Sequence, residues 1–175
     1  MKFMHSLLNQ PLDDVEIELD KLLTFESSTL EFKSALRYHL YKKEVDKEIE
    51  KSVLKTLCAF MNTSGGTLLV GVNDNAEIIG LENDYNSGLK NRDKWELHLT
   101  NLIKDQIGSP FMNYIGVCFK EKNGHEVAII QVNKASQPAY LKRGKEEMFF
   151  VRTGNSSTPL PASEITQWIN DNFAN

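Results

Sequence analysis

Two acidic residues and a lysine near the start of the chain have the types and spacing to act on a phosphate. Glu31 and Lys33 lie two apart in Leu30-Glu31-Phe32-Lys33, whose alternation predicts a strand. Residues two apart on a strand share a face, so the carboxylate and ammonium point together while Phe32 points the other way. Glu26 precedes that strand by one short polar turn, and Asp74 ends a later apolar segment. Carboxylates brought together hold a divalent cation, and a neighbouring lysine stabilises developing charge on a phosphorus centre or orients a water. The same residues have plainer uses. Glu31 and Lys33 also read as a solvent-facing pair worth under about 1 kcal/mol. Asp74 within Asn73-Asp74-Asn75 also reads as a turn residue.

Arg152 is the other polar group of interest. It ends Phe149-Phe150-Val151-Arg152 and is followed by Thr153-Gly154-Asn155-Ser156-Ser157-Thr158. A guanidinium, hydroxyls and backbone N–H groups at one edge suit phosphate oxygens. The alternative is an arginine bonded to the carbonyls of a neighbouring turn. His5, His39, His98 and His125 are scattered and lack a Ser or Cys partner in a recognisable elbow, so a hydrolase triad is not expected.

The elements that must position these groups are readable from periodicity. In Lys55–Asp74, KTLCAFMNTSGGTLLVGVND, a helix stops at Asn62-Thr63-Ser64, turns on Gly65-Gly66 and enters a buried strand. The glycines do not make a phosphate loop. No Gly-Lys-Ser/Thr opens a helix, and the order is helix then strand. No nucleotide cofactor is expected.

An acidic helix over about Leu12 to Leu23 leads the chain. The helix ending at Met61 starts near Glu44, with Val45, Ile49, Val53, Leu57 and Phe60 at helical spacing. Strands are expected at Thr67–Val72 and Ala76–Ile79, then a helix from Asp93 to Ile107 with Trp95, Leu99 and Ile103 on one face. Strands follow at Tyr114–Lys120, Glu126–Val132, Ala139–Lys142 and Met148–Arg152, the first two joined by a Lys122-Asn123-Gly124 turn. A helix over Glu164–Phe173 ends the chain. The expected fold class is α+β: a mixed, mostly antiparallel sheet with helices packed against it.

At 175 residues the chain suits one domain, with 41% hydrophobic and 25% charged residues. No apolar run is long enough to span a bilayer, and the N-terminus is a poor signal peptide, so no membrane partner is expected. Cys58 and Cys118 sit inside apolar runs like core residues, which favours a reducing cytoplasm. The net charge of −4 is carried by residues 1–20, where Lys2 faces Asp13, Asp14, Glu16, Glu18 and Asp20. The remainder is neutral, with basic groups at Lys42-Lys43, Lys90-Arg92-Lys94 and Lys142-Arg143-Lys145. A groove can be basic on a neutral protein.

Four blocks in order resemble the Schlafen-type divergent Alba-like nucleic-acid-binding domain. They are Glu26–Lys33, Cys58–Asp74, Ile79-Gly80-Leu81 with Asp84, and Phe149–Thr158. The resemblance implies a single Schlafen-core lobe over 24–175, behind an acidic helical extension at 1–23, that binds DNA or RNA. Lys42, Lys43, Arg92, Lys142, Arg143 and Arg152 are the candidate phosphate contacts. In relatives that cleave tRNA and rRNA, an acidic site uses a Glu, a second Glu five residues on and a later Asp. Glu26, Glu31 and Asp74 match that spacing and position. The resemblance therefore also implies a metal-dependent endoribonuclease acting on structured RNA such as tRNA. Those three residues would hold Mg²⁺ or Mn²⁺, and Lys33 would steady the scissile phosphate. Nuclease-type relatives carry two lobes in one chain, whereas this chain carries one, so a homodimer is expected. A third reading is an interaction domain in a regulatory or phage-defence assembly.

Overall fold

The protein's structure, a computed structural model, describes residues 18–173. The elements run α1 (Leu19–Leu22), β1 (Leu30–Lys33), β2 (Tyr38–His39), β3 (Glu44–Val45), α2 (Lys47–Met61) and β4 (Gly66–Val70). Next come α3 (Glu82–Asp84), α4 (Arg92–Gln106), β5 (Ile115–Lys122) and β6 (His125–Val132). The chain ends with β7 (Tyr140–Arg143), β8 (Glu146–Thr153), β9 (Ser156–Pro159) and α5 (Ala162–Phe173).

The main sheet has the order β1-β4-β6-β5, with β1 parallel to β4 and the other neighbours antiparallel. Strands β7, β8 and β9 form a second antiparallel sheet, and β2 and β3 form a separate hairpin. The fold is the mixed, mostly antiparallel α+β architecture expected.

Leu68-Leu69-Val70 reads as a continuous apolar run because β4 is covered on both faces. Leu68, Val70, Ala128 and Ile130 join the large core with α2 and α4, while Phe32, Leu69, Val127 and Ile129 join a smaller cluster with Leu19 of α1. Register aligns Glu31 with Leu68 and Phe32 with Leu69. Glu31 therefore points to the α2 side, and Phe32 to the other.

Two glycines fix the path of β4. Gly65 has φ +75°, its N–H bonds the Phe60 carbonyl at 2.8 Å, and a Cβ there would sit 2.6 Å from the Val132 carbonyl oxygen. Gly71 has φ +94°, and the Lys33 carbonyl accepts from both Gly71 N (2.8 Å) and Val72 N (3.2 Å). That bulge breaks the alternation, so Val72 joins the smaller cluster although Val70 lies in the larger.

Several expectations are corrected. Helix α2 begins at Lys47 because the Asp46 side chain caps it, accepting from Glu48 N at 2.9 Å; Glu44 and Val45 belong to β3. Ala76–Ile79 is not a strand: a single bridge joins Val72 to Ile78. The segment after Arg152 turns at Gly154 and returns as β9. The acidic helix is described only as α1; its expected start at Leu12 lies outside the described residues. The Asn123-Gly124 turn has φ of +56° and +78°, the mirror-image geometry that a two-residue hairpin requires.

Two buried polar side chains tie the layers together. Asp84 accepts from Leu36 N (2.7 Å), Arg37 N (3.1 Å), Tyr38 N (3.1 Å) and Trp95 Nε1 (2.9 Å), fixing the chain after β1 against α4. Asn62 donates to the Ala139 and Phe150 carbonyls and accepts from Ala139 N, while its own carbonyl accepts from Trp168 Nε1. It joins the end of α2 to β8 and α5. Among the described residues no helix is long and apolar enough to cross a membrane.

Candidate nucleic-acid interface

The structure brings Glu31, Lys33 and Arg152 together. Lys33 Nζ is 2.5 Å from Glu31 Oε1, and Arg152 Nη1 is 2.9 Å from Glu31 Oε2. Both carboxylate oxygens therefore already hold a cation. The Arg152 side chain is 1% exposed, and its guanidinium lies 4.9 Å from the Phe60 ring centre. It also donates to the carbonyls of Ser27 (2.6 Å) and Ser28 (3.3 Å) and to Ser157 Oγ (3.0 Å). Its own N–H donates to Thr63 Oγ1 at 2.9 Å. Arg152 thus takes the alternative role raised by the sequence. It latches the Ser27-Ser28 turn to β8 and is not presented to a phosphate.

Glu26 sits beside this latch, with its Oε1 accepting from Phe32 N at 2.9 Å. Asp74 is exposed in the turn after Asn73, whose Oδ1 accepts from Asn75 N and Glu77 N. Among the described residues no three His, Cys, Asp or Glu side chains converge as a metal site. As folded, the donor set of Glu26, Glu31 and Asp74 does not fit a divalent cation. Glu31 is committed to two cations and Glu26 to a backbone N–H.

The remaining candidate cations are spread over the surface. Arg92 donates through Nε and Nη2 to Glu126 Oε1, and its guanidinium lies 5.0 Å from the Phe119 ring centre. Tyr85 donates to the other Glu126 oxygen at 2.7 Å. The hydrogen bond from Arg92 to Glu126 raises the arginine further above its usual range. Burial opposes ionisation of Glu126, yet the bonds from Arg92 and Tyr85 prevail and hold its carboxyl below the ordinary value. Lys42 Nζ pairs with Asp46 at 2.9 Å, which raises the lysine and lowers the aspartate. Lys43 is exposed at the β2–β3 tip.

Lys142 and Arg143 are different. They end β7 at the mouth of a cleft of about 320 Å³ between α2 and the β7-β8-β9 sheet. Lys51 and Lys55 of α2 complete its basic rim, and Leu141, Met148, Phe150 and Pro159 line its apolar surface. Glu48 is the one acidic lining residue, held below its usual range by a 2.5 Å bond from Lys51. Lys51 and Lys55 were not among the sequence candidates. Their four-residue spacing puts both on one face of α2, a signal that could have found them.

The chain belongs to the Schlafen, AlbA_2 family, whose profile matches residues 26–161. Solved structures share the fold, and two illustrate it. The DIP2311 protein from Corynebacterium diphtheriae superposes with a TM-score of 0.57 at 21% identity, over 83% of this chain and 24% of that one. This chain thus spans about a quarter of that protein's length. The N-terminal domain of a putative ATP-dependent DNA helicase RecG-related protein from Nitrosomonas europaea superposes with a TM-score of 0.51 at 22% identity. The match covers 80% of this chain and 88% of that domain.

Proposed function

We propose that this chain binds nucleic acid along the cleft between α2 and the β7-β8-β9 sheet, with Lys51, Lys55, Lys142 and Arg143 on the phosphates. One observation carries this reading: four cations rim an apolar-floored groove. Lys142 and Arg143 are exposed there, with no part in the latch that consumes Arg152. The family and the RecG-related neighbour accord with it. Phosphate contacts of this kind give salt-sensitive, largely sequence-independent binding.

The test is fluorescence anisotropy with labelled DNA and RNA over a salt series. Wild type binds, and affinity falls with a log–log slope of roughly −2 to −4, as expected for three or four phosphate contacts. Lys142→Glu/Arg143→Glu loses most of that binding. Absence of binding at low salt sinks the proposal and leaves the reading as an interaction domain of a larger assembly.

The endoribonuclease reading requires Glu31 to release Lys33 or Arg152 before it could hold Mg²⁺ or Mn²⁺. Incubating wild type and Glu26→Ala/Glu31→Ala with tRNA, with Mn²⁺ or with chelator, decides it, provided circular dichroism shows the variant folded. Cleavage that needs both metal and carboxylates would replace the binding reading. The working form we assign is a homodimer in a reducing cytoplasm, in which a second lobe extends the groove. A strict monomer by light scattering at tens of micromolar removes the dimer but not the cleft.

A further inference from the structure

The β2–β3 hairpin carries an aromatic side chain that the fold does not use. Tyr41 is 92% exposed, the most exposed of the large apolar side chains among the described residues. Its neighbours Leu40 and Val45 are also exposed. Such an arrangement gains no core packing.

The loop that holds Tyr41 out is closed. Register pairs Tyr38 with Val45 and His39 with Glu44, leaving Leu40-Tyr41-Lys42-Lys43 as a four-residue loop. Lys43 N donates to the His39 carbonyl at 2.7 Å, and Lys42 N donates to His39 Nδ1 at 3.3 Å. Lys43 closes the loop with φ +57°, a conformation that glycine or asparagine adopts more readily. Lys43 lies two residues from Tyr41 in the same loop and is exposed. Lys43 makes no ion pair among the described residues.

The tip is joined to the helix that forms one wall of the cleft. Strand β3 runs directly into α2, and Lys42 bonds Asp46, the cap of that helix. Glu48, two residues further on, lines the cleft and senses the charge of Arg143. From Val45 to the loop is two rungs of hairpin, roughly 7 Å.

We infer that the β2–β3 tip is a stacking platform, on which Tyr41 meets an unpaired nucleobase while Lys43 meets its backbone. The nucleic acid taken is therefore single-stranded, or carries unpaired residues beside the cleft. An aromatic face next to a cation suits a base, whose own π face is open only when it is out of a duplex. This inference rests on the nucleic-acid reading of the cleft.

The experiment uses a short single-stranded oligonucleotide carrying 2-aminopurine and the corresponding duplex. Wild type, Tyr41→Ala, Tyr41→Trp and Lys142→Glu/Arg143→Glu are compared. Wild type prefers the single strand and quenches 2-aminopurine. Tyr41→Ala weakens single-strand binding roughly 5- to 150-fold and abolishes the quench. Its salt slope, duplex affinity and melting temperature stay unchanged, and Tyr41→Trp retains both binding and quench. Single-strand binding within twofold of wild type in Tyr41→Ala, with binding lost in the cleft variant, overturns the platform and keeps the cleft. Equal loss on duplex and single strand also overturns it. So does concentration-dependent self-association that Tyr41→Ala alone removes, which would make a second copy the occupant. No binding by wild type to either probe overturns the cleft and the platform together.

Discussion

Arg152 and the Lys142-Arg143 pair belong to one antiparallel sheet and lie about ten residues apart, yet they do opposite things. Arg152 turns inward from β8, where Glu31, two turn carbonyls, Ser157 and the face of Phe60 take up its guanidinium. Lys142 and Arg143 leave the open end of β7, where Glu147 and Glu146 stand across the strand. The contrast teaches that a basic residue near a groove signals a ligand only when its donors are unspent. Arg152 is a component of the fold and Lys51 is shared with Glu48, while Lys55, Lys142 and Arg143 remain available to phosphates.

The largest effect should come from the inward side. Arg152→Met strands Glu31 with only Lys33 and leaves two turn carbonyls without their donor, so we expect a loss of about 3–5 kcal/mol in urea unfolding. Arg152→Lys should lose nearly as much, because an ammonium cannot fork between Glu31 and the Ser27 and Ser28 carbonyls. A variant as stable as wild type would dissolve the contrast, since Arg152 would then be as dispensable as a surface cation.

On the outward side the weight shifts to binding. Lys142→Glu/Arg143→Glu should cost about 1–2 kcal/mol, because each new carboxylate faces Glu147 or Glu146 across the strand, well short of the Arg152 loss, while weakening nucleic-acid binding. Removing two phosphate contacts should also flatten the salt slope by roughly 2. Anisotropy at several salt concentrations reads both quantities. A steep stability loss with an unchanged salt slope would move this pair into the same class as Arg152.

Much of this division was hidden in the sequence. The Glu31–Lys33 pairing was legible, because strand alternation alone places two residues on one face, and they meet at 2.5 Å. The Asn123-Gly124 hairpin and the Gly65 turn were legible for a similar reason: their backbone geometry is nearly dictated by residue type. The fate of Arg152 was not. Whether it meets solvent or the Ser27-Ser28 turn depends on a contact between residues over 120 positions apart. Local pattern carries no information on that contact. The same holds for the cleft, where Lys51 and Lys55 become relevant only once β7 and β8 pack beside α2. Residues 44 and 45 misled for another reason. Their apolar periodicity continued that of the helix, but the Asp46 cap starts α2 later and releases them into β3.

Lys43 offers a finer test of which cations are held for a ligand. Its left-handed backbone costs on the order of 1 kcal/mol for a non-glycine residue, so Lys43→Gly should raise stability by up to about that amount, partly offset by a freer unfolded chain. Thermal unfolding reads the gain, and the same protein should bind single strands more weakly. If stability and binding rise together, the lysine has no role at the tip and is merely strained.

Arg92 lies between the two extremes, half exposed but committed to Glu126, and pH separates it from both. The folded state holds the Glu126 carboxyl below its ordinary value, whereas the unfolded chain titrates near about 4.3. Above that unfolded value both states are ionised, and the network with Arg92 and Tyr85 stabilises fully. As pH falls below it the unfolded chain binds a proton first, so stability declines until Glu126 itself protonates in the folded state. Glu126→Gln cannot take part in this, although Asp46 and Glu48, also held low, give both proteins an acid limb. The informative quantity is therefore the wild-type advantage over Glu126→Gln, expected to be largest at neutral pH and to shrink below about pH 4. A constant advantage down to pH 3 in urea titrations would mean that Glu126 contributes by packing alone. Arg92 would then count with Lys142 and Arg143 as a cation free to meet phosphate.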